Sequence, residues 1–319
     1  MLFRSERAGS FAECCPLVML ESELIKEFQA IFRREKDNSL IVPNGDDGAV
    51  FVSDKNIVVS ADVCVSGIHF DEKWSTPFEI GRKVAAANLA DICAMGGWPK
   101  YLIATLVLPS ESGVLELAQG IAAEADKVGA QVIGGDLSAG SELAVSITAI
   151  GETLRPIRRS GAKVGDRVYL STLPGSSAAG LYILKSDLEE DSDFKKILVS
   201  EHKAPSIDYA KYEKAFSLAS AAIDISDGLL IDAERIAKSS NIKINLSKEV
   251  LAKSPLCDLD SERYLDWVLR GGEDHVLLCT SPSVIPGFID IGAVEAGNGI
   301  ELDSEKIEIG GYSHQWTSG

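Results

Sequence analysis

The stretch Thr76-Pro77-Phe78-Glu79-Ile80-Gly81-Arg82-Lys83-Val84-Ala85-Ala86-Ala87-Asn88-Leu89-Ala90-Asp91-Ile92-Cys93-Ala94-Met95-Gly96-Gly97 is where the reading of this chain turns. Thr76 and Glu79 form a capping box with Pro77 at the first helical position, so a helix starts there. Gly96-Gly97 and then Pro99 end it. Over residues 84–95 only Asn88 and Asp91 are polar. A helix that is apolar on all sides is buried. At about 100° per residue, Asn88 and Asp91 fall within about 60° of each other, on one face. A buried, unpaired carboxylate costs several kcal/mol. Either a buried basic group neutralises Asp91 or a metal does, and the helix offers only Arg82 and Lys83 nearby.

Elsewhere in the chain, other acids stand beside glycines or at ends of apolar runs. Gly45-Asp46-Asp47-Gly48 sets two like charges in a tight turn; a solvated turn is the plain alternative. Residues 57–62 read as a strand finishing on Asp62, with Ser60 and Ala61 before it. Residues 132–136 read as a short strand that turns on Gly134-Gly135 and presents Asp136. Residues 221–225 read as a strand with Asp224 inside, after which Asp227-Gly228 opens a helix through about Ser239. Asp at a helix start is an ordinary cap; Asp224 between Ile223 and Ile225 is harder to dismiss. Oxygen-only ligands suit hard cations such as Mg²⁺. With four histidines and no Cys/His cluster, a zinc site is not expected. Several carboxylate-held Mg²⁺ ions imply a polyphosphate, yet the G-x-x-x-x-G-K-[ST] loop and G-x-G-x-x-G are both absent. This would be an ATP site in which metal replaces a cradle of amides.

The chain has 319 residues, which suggests two domains of about 150 each. Hydrophobic content of 45% and charged content of 25% are those of a globular protein with a sizeable core. No apolar run approaches the roughly 18 residues of a membrane span. Residues 1–21 read as a loose extension before a helix beginning near Ser22. The six cysteines form no C-x-x-C pair, so buried free thiols in a reducing cytoplasm are expected. The net charge of −17 argues against nucleic acid as partner. It also opposes a phosphate substrate, unless a divalent cation reverses the sign locally.

These residues, in order, resemble the thiamine-monophosphate kinase family. The resemblance runs through Gly45-Asp46-Asp47, Asp62-Val63, Gly67-Ile68-His69-Phe70, Asn88-Leu89-Ala90-Asp91-Ile92 and Ala94-Met95-Gly96-Gly97. It continues through Gly134-Gly135-Asp136, Arg159-Ser160-Gly161-Ala162, Asp224-Ile225-Ser226-Asp227-Gly228-Leu229 and Gly271-Gly272-Glu273-Asp274. It spans residues 22–316. The wider group is the aminoimidazole-ribonucleotide-synthetase-like ATP-binding superfamily. The resemblance implies a two-domain α/β (α+β) fold, residues 22–152 and 153–319. In it the N-terminal sheet pairs across a homodimer to build a shared β-barrel. It implies transfer of the γ-phosphoryl group of ATP to thiamine monophosphate, giving thiamine diphosphate. By residue-wise match, Asp47, Ser60, Asp62, Asp91, Asp136, Asp224 and Asp227 hold Mg²⁺ ions, with Asp91 and Asp227 central to catalysis. Gly135, Asp136, Arg159 and Ser226 meet ATP. His69, Glu273, Tyr312 and Trp316 face thiamine. No membrane partner is implied.

The chain departs from the family at Ala61, where a hydroxyl residue is frequent. It departs at Ala118, where an aromatic is expected near adenine, and at His275, which follows Glu273-Asp274 in place of Tyr. The end pattern Gly311-Tyr312-Ser313-His314-Gln315-Trp316 is shifted by one. Competing readings are a sister synthetase, of purine-ring or selenophosphate type, and a non-catalytic sensor of nucleotide or divalent cation. For Glu273 a turn acid, and for His69 a strand-end histidine, are the plain alternatives.

Overall fold

The computed structural model describes residues 21–32, 37–43, 48–186 and 188–312. Asp46, Asp47 and Trp316 lie outside the described residues. The first half runs α1 (Glu21–Ile31), β1 (Leu40–Val42), β2 (Val50–Phe51), β3 (Asn56–Val65), α2 (Pro77–Ala94), β4 (Trp98–Leu108), α3 (Val114–Asp126), β5 (Gln131–Ala139) and β6 (Ala144–Thr153). After a 3₁₀ turn at Arg159–Gly161 come β7 (Arg167–Leu170), α4 (Ser176–Lys185), α5 (Asp193–Lys203), α6 (Tyr209–Glu213), β8 (Ala221–Ile225), α7 (Leu229–Ser240) and β9 (Lys243–Leu246). The chain closes with α8 (Lys248–Leu251), α9 (Tyr264–Arg270), β10 (Val276–Ser281), β11 (Ile289–Glu295), β12 (Gly299–Leu302) and β13 (Glu305–Lys306).

The capping box forms as expected. The Thr76 hydroxyl accepts from the Glu79 N–H, and the Glu79 carboxylate accepts from the Thr76 N–H. Pro77 opens α2, and Gly96 supplies the positive φ of 71° that turns the chain after it.

Two sheets carry the fold. The first has the order β3-β6-β4-β5, with only β4 and β5 parallel. β6 alternates strictly, with Val145, Ile147 and Ala149 buried and Ser146, Thr148 and Ile150 half-buried. That is the period-2 signature of a sheet with one face on a core. On β3 the same period sends Ser60, Asp62 and Cys64 to one face and Val59, Ala61 and Val63 to the other.

The second sheet has the order β13-β12-β9-β11-β7-β10-β8. β8 ends this order, yet all five of its residues are buried. Helix α2 of the first half lies against it. That contact is the junction between the halves and brings Asp91 opposite Asp224.

Two strand readings need correcting. The strand expected to finish on Asp62 runs on to Val65, ten residues in full register with β6. The glycines at 134 and 135 do not end the strand: β5 continues through them to Ala139, with a bulge against β4 just before Gly134. Gly135 is there because the strands touch; a Cβ on it would sit 1.8 Å from the Ala104 carbonyl oxygen. A close backbone approach, rather than a turn, is the physical reason for the glycine.

Candidate functional site

Asp91 is the centre of a cleft of about 240 Å³ lined by Val59, Ser60, Met95, Arg159 and Asp224 among others. The two cations of its own helix do not reach it. Arg82 donates to Glu124 on α3 at 3.0 Å, and Lys83 donates to Glu273 at 3.0 Å. Asp91 instead accepts from the Ser60 hydroxyl at 2.5 Å. Burial first, then the neighbouring Asp224, push the Asp91 carboxyl from 3.8 up to about 8. Two carboxyl groups therefore face each other across the junction, and a proton or a cation must stand between them.

Asn88, fully buried one turn before Asp91, is a pin rather than a ligand. Its Nδ2 donates to the Val84 carbonyl, and its Oδ1 accepts from the Asp62 N–H at 3.1 Å. This sets the register of β3 on α2, so that Ser60 and Asp62 stand on the face turned to α2. Ala61 alternates to the face opposite Ser60, and it is the Ser60 hydroxyl that reaches Asp91. Ala118 is fully buried on α3 in the hydrophobic core.

Asp224 is 3% exposed and is hydrogen-bonded to His275 Nδ1 at 3.0 Å. Burial alone would lower the His275 imidazole, but the bond to Asp224 and the surrounding acids carry it above its ordinary value. The His275 carbonyl accepts from the buried Tyr212 hydroxyl. Glu273 and His275 have φ of 64° and 49°, uncommon for residues with a side chain. Such strain costs about 1–3 kcal/mol per residue and gathers at functional sites. Neighbouring backbone holds this turn: Glu273 N–H donates to Ser226 C=O, and His275 N–H to Ile225 C=O. Gly272 lets the turn approach, since a Cβ there would lie 2.5 Å from the Ser226 oxygen.

Beyond that turn, the Glu273 carboxylate meets Lys83 and lies 3.8 Å from His202. Burial would raise Glu273, but Lys83 and then His202 hold it below its ordinary value. His202, bonded to the Ser177 hydroxyl, is lowered to about 4 by burial and by Lys83. Asp274 caps α4, accepting from the N–H groups of Gly175 and Ser177, and burial lifts it to about 6.

Asp227 is held by Arg235 at 2.5 Å, and Arg235 also grips Asp232. Asp232 accepts from the N–H groups of Asp227 and Gly228. The Asp227 carbonyl accepts from the Tyr312 N–H, so the root of the C-terminal tail lies against this loop. Tyr312 itself is exposed.

The fold thus brings together Ser60, Asp62, Asp91, Arg159 and Asp224, with Ser226, Asp227 and Glu273 on the adjoining turns. It does not bring Gly135 and Asp136 to them within one chain. They sit on β5, with β4 and β6 between them and β3, and Asp136 lines a second hollow under α1 beside Phe28 and Phe32. His69 closes a turn, its Nδ1 accepting from the Val65 N–H at 3.1 Å. Asp232 and Arg235 are site-forming residues absent from the sequence expectations, while Lys83 and His275, both noted there, find partners in Glu273 and Asp224. Arg235 and Asp232, three residues apart on one helix, carried a legible signal.

Among the described residues, no group of three or more His, Cys, Asp and Glu side chains is already gathered for a metal. The donor chemistry fits a hard cation nonetheless: oxygens only, in an acid pair whose Asp91 member receives no bond from Arg82 or Lys83 of its own helix. Among those residues, no helix is long and apolar enough to cross a membrane.

Residues 45–153 match the family described as AIR synthase related protein, N-terminal domain. The chain is 34% identical to thiamine-monophosphate kinase of Aquifex aeolicus over 85% of this chain and 92% of that one. The crystal structure of thiamine-monophosphate kinase from Stenotrophomonas maltophilia K279a superposes with a TM-score of 0.80 at 29% identity, covering 88% of this chain and 96% of that one. AaThiL complexed with AMPPCP and TMP superposes at 0.78 with 31% identity, covering 92% and 97%. The mixed α/β architecture is therefore the AIR-synthetase-like fold.

Proposed function

The chain belongs to the thiamine-monophosphate kinase family, and from that premise we propose how the cleft around Asp91 performs the family's reaction. The protein phosphorylates thiamine monophosphate to thiamine diphosphate, with ATP as co-substrate. The terminal phosphoryl group leaves the bridging oxygen of ATP as a new P–O bond forms to a phosphate oxygen of thiamine monophosphate. ADP is the other product. The acceptor oxygen is already ionised at neutral pH, so no general base is demanded. Positioning and charge stabilisation do the work.

The observation that carries this reading is the Asp91–Asp224 pair: Asp224 holds His275, while Asp91 gains no bond from Arg82 or Lys83, which are committed elsewhere. Mg²⁺, when bound, supplies the positive charge that lets two anionic phosphates approach. Asp91, Asp224, Asp62 and the Ser60 hydroxyl are the oxygens that would hold it. Arg159, on the cleft wall, suits a phosphate of ATP. Asp227 joins the set once Arg235 turns from it to substrate phosphate. Asp47, in the acidic turn, remains a proposed ligand. Glu273, His69, Tyr312 and Trp316 remain the proposed thiamine side.

We also take the protein to be a homodimer through the four-stranded sheet, with the domain boundary at residues 152/153. The outward face of β3 supports this, with Ile57 at 42%, Val59 at 61% and Val63 at 52% exposed in one chain. A partner sheet would also give Asp136 and Gly135 a cleft to enter. The test is direct: purified protein, ATP, thiamine monophosphate and Mg²⁺, with thiamine diphosphate quantified and an excess-EDTA control. No product, or product undiminished in EDTA, overturns the reading.

A further inference from the structure

Lys83 is an unusual residue for the face of α2 that meets the second half of the chain. Its side chain is 4% exposed, and its ammonium makes two bonds, both to that half: the His202 carbonyl on α5 at 2.9 Å and Glu273 at 3.0 Å. A buried lysine with a partner removed leaves an uncompensated charge, so such a pair is a demanding contact to build. It also lies eight residues before Asp91 on one rigid helix, about 12 Å along the axis.

From Glu273 the bonding continues without a gap. Glu273 N–H reaches Ser226, His275 N–H reaches Ile225, and His275 Nδ1 reaches Asp224. Asp224 faces Asp91, which closes a ring: Lys83, α2, Asp91, Asp224, His275, Glu273 and back to Lys83. One contact in this ring, the meeting of two acids, is repulsive. The contact at the other end is attractive, with the Lys83 ammonium buried and the Glu273 side chain half-buried. The strained turn at Glu273 and His275 lies between them, which is where an outside tether is needed.

We infer that Lys83 is a positioning residue: its bond to Glu273 clamps α2 onto the second half of the chain and holds Asp91 and Asp224 face to face for the reaction. This rests on the reading of the Asp91 cleft as the phosphoryl-transfer site. Lys83 touches neither reacting phosphate in this account; it acts through Glu273 and the turn.

The test compares Lys83→Met, Glu273→Gln and the double variant with the unaltered chain. In the substrate-free, metal-free protein, amide exchange at Glu273 and His275 should speed up about tenfold or more in Lys83→Met, as expected for local opening. In turnover, kcat should fall about tenfold or more, with KM for thiamine monophosphate within about threefold, the mark of lost positioning rather than lost binding. Half-saturation by Mg²⁺ should move to higher concentration. In the Glu273→Gln background, Lys83→Met should change kcat by less than about threefold, because contacting residues are not additive. Wild-type exchange and kcat in Lys83→Met would overturn the inference, as would an equal loss of kcat in both backgrounds. If Lys83→Met does not fold, amide exchange at His275 in the substrate-free, isosteric Glu273→Gln decides: faster exchange supports the clamp and unchanged exchange overturns it, whatever Gln does to thiamine binding. The exchange measurement needs no turnover, so failure of the clamp is distinguishable from failure of the kinase reading.

Discussion

Replacing Asp91 with Asn separates what this carboxylate does for the reaction from what it costs the fold. At about 1.4 kcal/mol per pH unit, moving the carboxyl from 3.8 to about 8 sets a ceiling of about 6 kcal/mol on the penalty of keeping Asp91 folded without a cation. Part of that belongs to the pair with Asp224, and the cleft is open to water on one side. About 2–3 kcal/mol is the expected gain for Asp91→Asn in EDTA at pH 8, with Tm raised by about 3–6 °C for a chain of this size. The Ser60 hydroxyl can still donate, to the Asn oxygen. The sign follows from proton linkage. Between about pH 4 and pH 8 the folded carboxyl keeps a proton that the unfolded one has lost, so wild-type stability falls as pH rises through that window. The gain from Asn should grow over the same window and vanish near pH 4. Turnover should drop on the order of 10²-fold or more, as for removal of a charge-stabilising group. The assay pair is a thermal melt in EDTA from pH 4 to 8.5 and product formation in Mg²⁺. A variant less stable than wild type at pH 8, or one with full activity, would refute the reasoning.

Mg²⁺ or Mn²⁺ should support turnover and Zn²⁺ alone should not, since all proposed ligands are oxygens; equal rates with Zn²⁺ count against the site. His202→Gln should flatten the acid limb of stability: the wild-type ring, lowered to about 4, stays neutral where the unfolded one charges, so stability falls as pH drops from 6.5 towards 4. Melts across that range check it. Glu124→Ala should destabilise by about 1–3 kcal/mol, because it removes the acceptor of the buried Tyr209 hydroxyl and of the Arg82 guanidinium; urea unfolding measures it. Removing residues 311–319 should raise KM for thiamine monophosphate far more than KM for ATP, since Tyr312 is rooted on Asp227; an equal rise for both would remove the tail from the thiamine side.

Local rules made much of this protein legible in its sequence. The capping box, the apolar helix with two polar positions on one side, and the strand–turn–helix around Asp224 and Asp227 all follow from interactions within a few residues. So did the anomaly of Asp91: an apolar helix makes a carboxylate expensive wherever that helix is packed. What decides the outcome at Asp91 lies far away in the chain. Arg82 and Lys83 stand more than two turns before it on the same helix, and the packing of α3 and of the 271–275 turn decides that their partners are Glu124 and Glu273. The strand holding Asp136 was legible only in part: its start was, but neither its run through Gly134-Gly135 nor its place in the sheet, because strand order is set by long-range pairing. Ala61 shows the same division at the scale of one residue. Its identity is in the sequence, while the period-2 pleat of a strand paired along its whole length sets it on the face opposite Ser60 and Asp62.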